Sequence, residues 1–383
     1  MSSNRKSLGD YSAKIKVIGV GGGGGNAVSR MQRDFQVKSV DFIAINTDAQ
    51  DLDFCVAKHK IYIGKNLTRG LGTGMNPELG RQAAEENRSE IVESLKGADL
   101  VFITAGLGGG TGSGASPVIA EAAKEIGALT VAIVTKPFVF EGVQRSKIAQ
   151  EAYIKLKEKV DTLIVIPNDR IFSVIKKETP MMKAFEYIDD ILRYSVQGIA
   201  ELIATPGIIN VDFADVKTIM RDAGSALVGI GLGMGQERAI TAVNQAVNSP
   251  LLEVSIDGAK GLLFAVSGGK DLRLNEIHDV AKIIGESVDP SAKIIFGAYH
   301  DKKLKKGAIK VILIATGFNG SALKNGESSI INSLFTKPPI VEEIVIRNPI
   351  VKEAETTVTE RSVKENKKEQ DVWDIPTFLR KKK

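Results

Sequence analysis

Cysteine is nearly absent. Cys55 stands alone among 383 residues, so no intrachain disulfide can form, and the sequence predicts a reducing, cytoplasmic setting. Long apolar runs are missing too. No stretch approaches the roughly 20 apolar residues of a membrane span, and Met1 to Ser12 holds no apolar signal segment. Direct membrane insertion is therefore not expected. Histidine is scarce: His59, His278 and His300 are scattered without ligand spacing, which argues against a protein-built metal site. Charge of one sign is not in excess. With 51 basic and 46 acidic residues the formal charge is +5, too little for a nucleic-acid footprint. The densest basic run, Arg380 to Lys383, is short and suits an acidic partner or an anionic membrane surface. No G-x-x-x-x-G-K-[ST] occurs, which excludes a P-loop NTPase.

Apolar and charged residues, 43% and 25%, allow a sizeable core. Short apolar runs at Lys14–Val20, Val40–Ile45, Asp99–Thr104, Leu129–Thr135 and Thr162–Ile166 alternate with helical stretches, which predicts a parallel sheet covered on both faces. Helices are expected from Asn26 and from about Ser116. Met181 to Ile203 is apolar around much of its circumference, so it reads as a buried helix between two domains. Beyond it, strands at Ser225–Ile230, Gly261–Ser267, Lys293–Ala298 and Ile309–Thr316, with helices at Glu237–Asn248 and Asn275–Ser287, predict a smaller α+β domain. The organisation is thus a tail (1–13), an α/β Rossmann-like domain (14–180), a central helix (181–204), a second domain (205–318), a disordered linker (319–370) and a terminal peptide (371–383). That peptide, Asp371 to Arg380, carries the only tryptophan, Trp373, and reads as a partner-binding motif.

The 38 glycines concentrate in two clusters. Gly21 to Asn26 lies where a strand hands over to a helix. Glycine lets backbone approach a ligand, and a helix start offers free N–H groups to an anion. Alone this is ambiguous: Gly19-x-Gly21-x-x-Gly24, with Asp48 downstream, also fits a dinucleotide fingerprint and an NAD-dependent enzyme. The second cluster, Gly108 to Gly114, follows another strand of the same sheet. Two phosphate loops on one edge suit a triphosphate, with Thr111 and Ser113 as extra donors. Without a loop lysine, backbone dipoles and Mg²⁺ must balance the charge.

G-G-G-T-G-S-G resembles the signature loop of the tubulin/FtsZ family. The resemblance continues through N-T-D-A-Q (46–50), F-E-G-x-x-R (140–145), I-P-N-D (166–169), Q-G-I-A-E-L-I (197–203) and N-V-D-F-A-D (210–215). The terminal D-I-P-T-F-L-R points to the bacterial cell-division branch rather than to tubulin.

The resemblance implies that Gly22, Gly23, Gly24, Gly25 and Asn26, with Gly109, Gly110, Thr111, Gly112 and Ser113, hold the phosphates of GTP or GDP. Gly72 and Thr73 approach the γ-phosphate. Glu141 and Arg145 contact the ribose, although alone they read as an i, i+4 ion pair. Asn168 and Asp190 read guanine, unless they are a turn residue and a solvated carboxylate. Phe185 either covers the base or packs in the core. Asn210, Asp212 and Asp215 are the implied catalytic residues, whereas their local reading is helix capping. In the family reading this loop faces away from its own nucleotide and meets that of the next subunit. The resemblance thus implies a head-to-tail homopolymer at a mid-cell ring, hydrolysing GTP at subunit contacts. Its terminal peptide would meet anchors such as FtsA, ZipA or SepF-type proteins. A filament protein that binds GTP without turnover is the remaining alternative.

Overall fold

The computed structural model describes residues 13–34, 39–252, 255–301 and 303–318. The expected tail up to Ser12, the linker and the terminal peptide with Trp373 lie outside the described residues. In chain order the elements are β1 (Ile15–Val20), α1 (Gly21–Asp34), β2 (Val40–Asn46), α2 (Ala49–Phe54), β3 (His59–Tyr62), α3 (Lys65–Thr68), α4 (Pro77–Glu86), α5 (Arg88–Leu95), β4 (Leu100–Gly106) and α6 (Thr111–Glu125). Then come β5 (Leu129–Lys136), α7 (Val143–Lys159), β6 (Thr162–Pro167), α8 (Met181–Ala204), α9 (Phe213–Met220), β7 (Gly224–Met234), α10 (Arg238–Val247), β8 (Gly261–Gly268), α11 (Leu274–Glu286), β9 (Lys293–His300) and β10 (Ala308–Thr316).

The strands β3-β2-β1-β4-β5-β6 pair in parallel, as their near-continuous Val/Ile/Leu runs require. One apolar cluster fills the face under α4 to α7, with Ile18, Ile103, Ile119 and Leu156 at its centre. The other face packs on α1 and α8. There Ile188, Leu192, Val196 and Ile199 of α8 join Phe102 and Ile164 of the parallel strands to Leu263 and Ile312 of β8 and β10. A third cluster, with Val243, Phe264, Val280 and Val311, fills the second half under α10 and α11.

Three local expectations are corrected. Helix α1 begins at Gly21 rather than Asn26, and α6 at Thr111 rather than Ser116. Glycine's low helix propensity hides these starts in sequence, but several of these glycines, Gly24 and Gly114 among them, stand where neighbours leave no room for a side chain. A Cβ on Gly24 would sit 2.4 Å from the Thr104 carbonyl oxygen, and one on Gly114 would sit 1.9 Å from that of Pro77. The strand expected over Ser225–Ile230 is also longer, spanning Gly224–Met234. Gly224 to Ala226 of β7 pair in parallel with β6, and Leu227 to Met234 pair antiparallel with β10. One ten-stranded sheet results. β7 runs on to Met234 because Gly229, Gly231 and Gly233 let α10 lie directly on it: added Cβ atoms would meet α10 carbonyl oxygens at 2.0 Å or less. No described helix is long and apolar enough to cross a membrane.

Candidate nucleotide site and catalytic loop

Both glycine clusters lie at the carboxyl edge of the parallel strands, where β1 ends at Val20 and β4 at Gly106. That edge is where ligands bind in open α/β sheets. The N-termini of α1 and α6 therefore open side by side. A Cβ on Gly21 would lie 3.1 Å from the Gly112 nitrogen, which shows how closely the two turns approach. Gly21 takes a left-handed φ of 70° and Gly108 one of 99°, conformations glycine adopts without strain.

The glycines divide into two kinds. Gly24, Gly110, Gly112 and Gly114 are packed against protein. Gly25 and Gly109 face open space, with nothing within 4 Å of an added Cβ. Packing does not account for the second kind; a ligand lying against the backbone would.

Thr111 and Ser113, expected as phosphate donors, are both buried and act inside the protein. The Thr111 hydroxyl lies 2.7 Å from that of Thr47 and 3.2 Å from that of Thr73. Ser113 Oγ accepts the Gly108 N–H at 2.9 Å. Thr47 belongs to the N-T-D-A-Q segment, whose spacing carries no sign that it joins the end of β2, the 69–76 loop and α6 in one hydroxyl cluster. That loop carries Arg69, Gly70, Gly72, Gly74 and Met75 at positive φ, and it brings Gly72 and Thr73 to the phosphate edge. The backbone N–H groups of the two helix starts remain available to an anion, which the helix dipoles would favour. Asn26 is exposed on the first turns of α1, on the rim of a small pocket with Gly21, Gly22, Gly25 and Asp51.

Glu141 and Arg145 form the plain ion pair of the local reading, Arg145 Nη1 to Glu141 Oε2 at 2.7 Å. The other carboxylate oxygen accepts the Phe138 N–H at 2.9 Å. Phe185 edges onto Phe138 with ring centres 5.6 Å apart, and it is 38% exposed. With Phe138, Phe140 and Phe172 it lines a cavity of about 520 Å³. It is thus not a core residue.

Asn168 is buried, and its Oδ1 has no hydrogen-bond partner. A buried acceptor left unmatched costs about 1–3 kcal/mol unless something supplies a donor. Asp190 is half-buried and takes Arg193 Nη2 at 3.0 Å through Oδ1. Beside it, burial pushes the Asp189 carboxyl up to about 6, while Arg30 at 3.8 Å pulls it back.

The 207–215 segment is built differently. Ile208 and Ile209 both donate backbone N–H bonds to Ala298 of β9. Asn210 Oδ1 accepts the Gly207 N–H at 2.6 Å. Asp212 occupies the N-cap position of α9 yet makes no side-chain cap bond. The side chains of Asp212 and Asp215 are exposed and have no hydrogen-bond or ion-pair partner among the described residues, while the Asp212 carbonyl accepts the Asp215 and Val216 N–H groups. The capping expectation thus fails for Asp212. At the far end of α9 the Met220 carbonyl accepts the Thr162 hydroxyl. Thr162 starts β6, so α9 sits at the amino edge of the parallel strands, opposite the glycine loops. The structure gathers the phosphate and ribose candidates, Asn168 and Phe185 toward one end and the three catalytic candidates at the other, while Asp190 lies farther along α8 on Arg193, which reaches Asp34 at the far end of α1.

Two glycine-led helix starts on one edge of a parallel sheet, with no P-loop lysine, define a nucleoside-triphosphate site of the tubulin type. Residues 14–176 match the Tubulin/FtsZ family, GTPase domain, and residues 224–319 match the FtsZ family, C-terminal domain. The chain is 47% identical to the FtsZ dimer of M. jannaschii, over 83% of this chain and 93% of that one, with a TM-score of 0.77. A mutant of that FtsZ matches at 48% identity and a TM-score of 0.78, covering 81% and 93% of the two chains. The GTPγS-bound protofilament of CetZ2 from Haloferax volcanii shares the fold at 23% identity and a TM-score of 0.69, covering 84% of this chain and 99% of that one.

The chain belongs to the FtsZ family of tubulin-like GTPases, which are GTP-binding filament proteins. The dinucleotide reading of Gly19, Gly21 and Gly24 is thereby set aside. The resemblance pointed to the bacterial branch, and the FtsZ structures matched here come from M. jannaschii.

Proposed function

We propose that this chain is a cell-division filament subunit that hydrolyses GTP across head-to-tail contacts, each subunit supplying the catalytic loop for its neighbour's nucleotide. The observation that carries the reading is the pair of exposed, unpartnered carboxylates, Asp212 and Asp215, at the opposite end of the sheet from the glycine loops. Free carboxylates in a helix's first turn are stabilised by its dipole, but that does not explain why neither caps it. A head-to-tail contact, which builds open filaments, would bring them to a γ-phosphate.

In this reading the N-termini of α1 and α6 cradle the phosphates, and the Gly72–Thr73 turn closes over the γ-phosphate. Among the described residues no three His, Cys, Asp or Glu side chains gather to hold a metal. Mg²⁺ would therefore enter with GTP, held by phosphate oxygens and water. Asp212 and Asp215 would orient and polarise the water that attacks the γ-phosphorus as the bond to GDP breaks. Asn210 would hold that water through Nδ2, because its Oδ1 is committed to Gly207. Phosphoryl transfer asks mainly for such positioning and charge balance. At the other end of the nucleotide, the unmatched Asn168 Oδ1 and the Asp190 carboxylate would accept guanine N–H groups, which adenine cannot supply in the same pattern. Phe185 would cover the base, and Glu141 with Arg145 would flank the ribose. Residues 371–380 would tether the filament to anchors of the FtsA, ZipA or SepF kind.

The test is GTP turnover measured against protein concentration, with pelleting in parallel, for the unaltered chain and Asp212→Ala. A threshold concentration, with turnover lost and pelleting kept in the variant, supports the reading. Turnover per subunit that is flat with concentration, or untouched by the substitution, refutes it.

A further inference from the structure

At one end of the second half, three connections come together. They follow β7 (235–237), β8 (269–273) and β9 (301–307). The register fixes this, since Gly268 stands opposite both His300 and Ile309, and Ala308 stands opposite Met234. Cross-bonds tie the connections to one another. Asp301 donates its N–H to the Gly268 carbonyl at 3.0 Å, and Gly235 donates to Gly307 at 3.3 Å.

The charges at this end are sorted by direction. Arg238 is buried and takes two acids, Asp271 at 2.5 Å and Glu276 at 2.6 Å. Lys310 is buried and takes Asp301 at 3.0 Å. Three carboxylates are thus spent on two cations that point inward. Among the described residues, Lys270, Arg273, Lys305 and Lys306 point outward, all exposed, and none has an ion pair there. Lys303 is exposed too, and its amino group reaches the Asp34 carbonyl at the end of α1. Glu237 is the one exposed carboxylate in the three connections.

A second observation falls on the same end. Leu274, next to Arg273, is 77% exposed, and Met234, next to Gly235, is 57% exposed. Long flexible side chains with apolar stems and charged heads, flanking single exposed apolar residues, match an interface between headgroups and acyl chains. Three of the four free cations are lysines, compact charges on flexible stems rather than the planar fork that reads a defined carboxylate. Such a set fits a diffuse anionic surface better than one shaped ligand.

We propose that this end of the sheet, through Lys270, Arg273, Lys305 and Lys306 with Leu274 and Met234, docks peripherally on an anionic lipid bilayer. It is a contact made by the folded body itself, separate from the basic run at Arg380 to Lys383. Attraction of this kind adds up per cation and fades with salt within about a Debye length.

Flotation of the full chain with vesicles, in GDP to avoid filaments, tests it. The vesicles are phosphatidylcholine alone or with about a third phosphatidylglycerol. The full chain is expected to float with the anionic vesicles only, and to be released by added salt. Lys305→Glu with Lys306→Glu should lower the partition coefficient by about tenfold or more, and Leu274→Ser by a smaller factor. Charge reversal at Arg380 and Lys381 should leave most of the binding. An unchanged GTP affinity in each variant reports that the fold is intact. No flotation of the unaltered chain overturns the proposal. So does flotation that survives the Lys305/Lys306 reversal and is lost with the tail reversal. So does a loss confined to lipid-free filament bundling, which would assign this face to a second copy of the chain.

Discussion

At the nucleotide end, Gly19, Gly24, Gly110, Gly112 and Gly114 each sit where a Cβ would come within 2.6 Å of another protein atom. At the catalytic loop, the Asp212 and Asp215 carboxylates are exposed and bonded to no described residue. One end is a finished cradle whose backbone is held by packing. The other is held by backbone bonds to Ala298, by the Asn210 side chain and by buried Val211, with its carboxylates left open. The difference separates what a single chain can complete from what needs a second one. Stability and nucleotide affinity should follow the first end, and turnover the second.

The sharpest way to break that division is at the open end. Asp212→Ala removes no contact, so its melting temperature should match the unaltered chain. Its GTP turnover should fall by about a hundred- to a thousand-fold. A drop in melting temperature comparable to the loss of turnover would show that the loop is structural. At the closed end the expectation reverses. Gly114→Ala forces a Cβ to 1.9 Å from the Pro77 carbonyl and should cost about 3 kcal/mol in chemical denaturation. Gly109→Ala meets nothing within 4 Å. It should leave stability within about 0.5 kcal/mol and still weaken GTP binding by about tenfold, because the space belongs to the ligand. Equal effects of the two alanines on unfolding would erase the distinction between packed and open glycines.

These contrasts also show what could be read without a structure. The parallel strands were legible because burial on both faces writes continuous apolar runs, and the loops because glycine clusters follow those runs. The starts of α1 and α6 were not, since local propensity opposes glycine in a helix and only the neighbours at Thr104 and Pro77 explain it. β3, α4 and α5 carry weak or charged patterns and gave no clear signal. The joining of the two halves through β7 was hidden because three glycines interrupt the strand. At the site, the identity of the motifs was plain. The inward use of Thr111 depends on partners more than thirty residues away, that of Ser113 on the backbone turn at Gly108, and the orphaned Asn168 Oδ1 on having none.

Smaller effects sharpen the base end. Asn168→Leu fills the space of a buried acceptor that has no partner, so the nucleotide-free protein should be no less stable. Preference for GTP over ATP should fall by about tenfold in competition binding. Asp189 gives a pH signature. Its carboxyl is raised to about 6 in the folded chain, chiefly by burial, against 3.8 as its ordinary value. The folded state therefore binds the extra proton between those values, and stability from this group is lost as pH rises from about 4 through 6. Asp189→Asn should flatten that slope in unfolding curves and raise stability at neutral pH by about 1–2 kcal/mol. Arg145→Ala breaks a half-exposed pair and should cost less than about 1 kcal/mol.

The central claim, that one active site is made by two chains, is tested most directly by mixing two inactive variants. Asp212→Ala keeps its glycine loops and lacks the catalytic carboxylate; Gly109→Asp keeps its catalytic loop and repels the phosphates. Each alone should hydrolyse GTP at background rate, and the mixture should recover turnover, because the first variant's nucleotide can meet the second's Asp212. A mixture no more active than the sum of its parts, with both variants shown to co-assemble, would contradict the account.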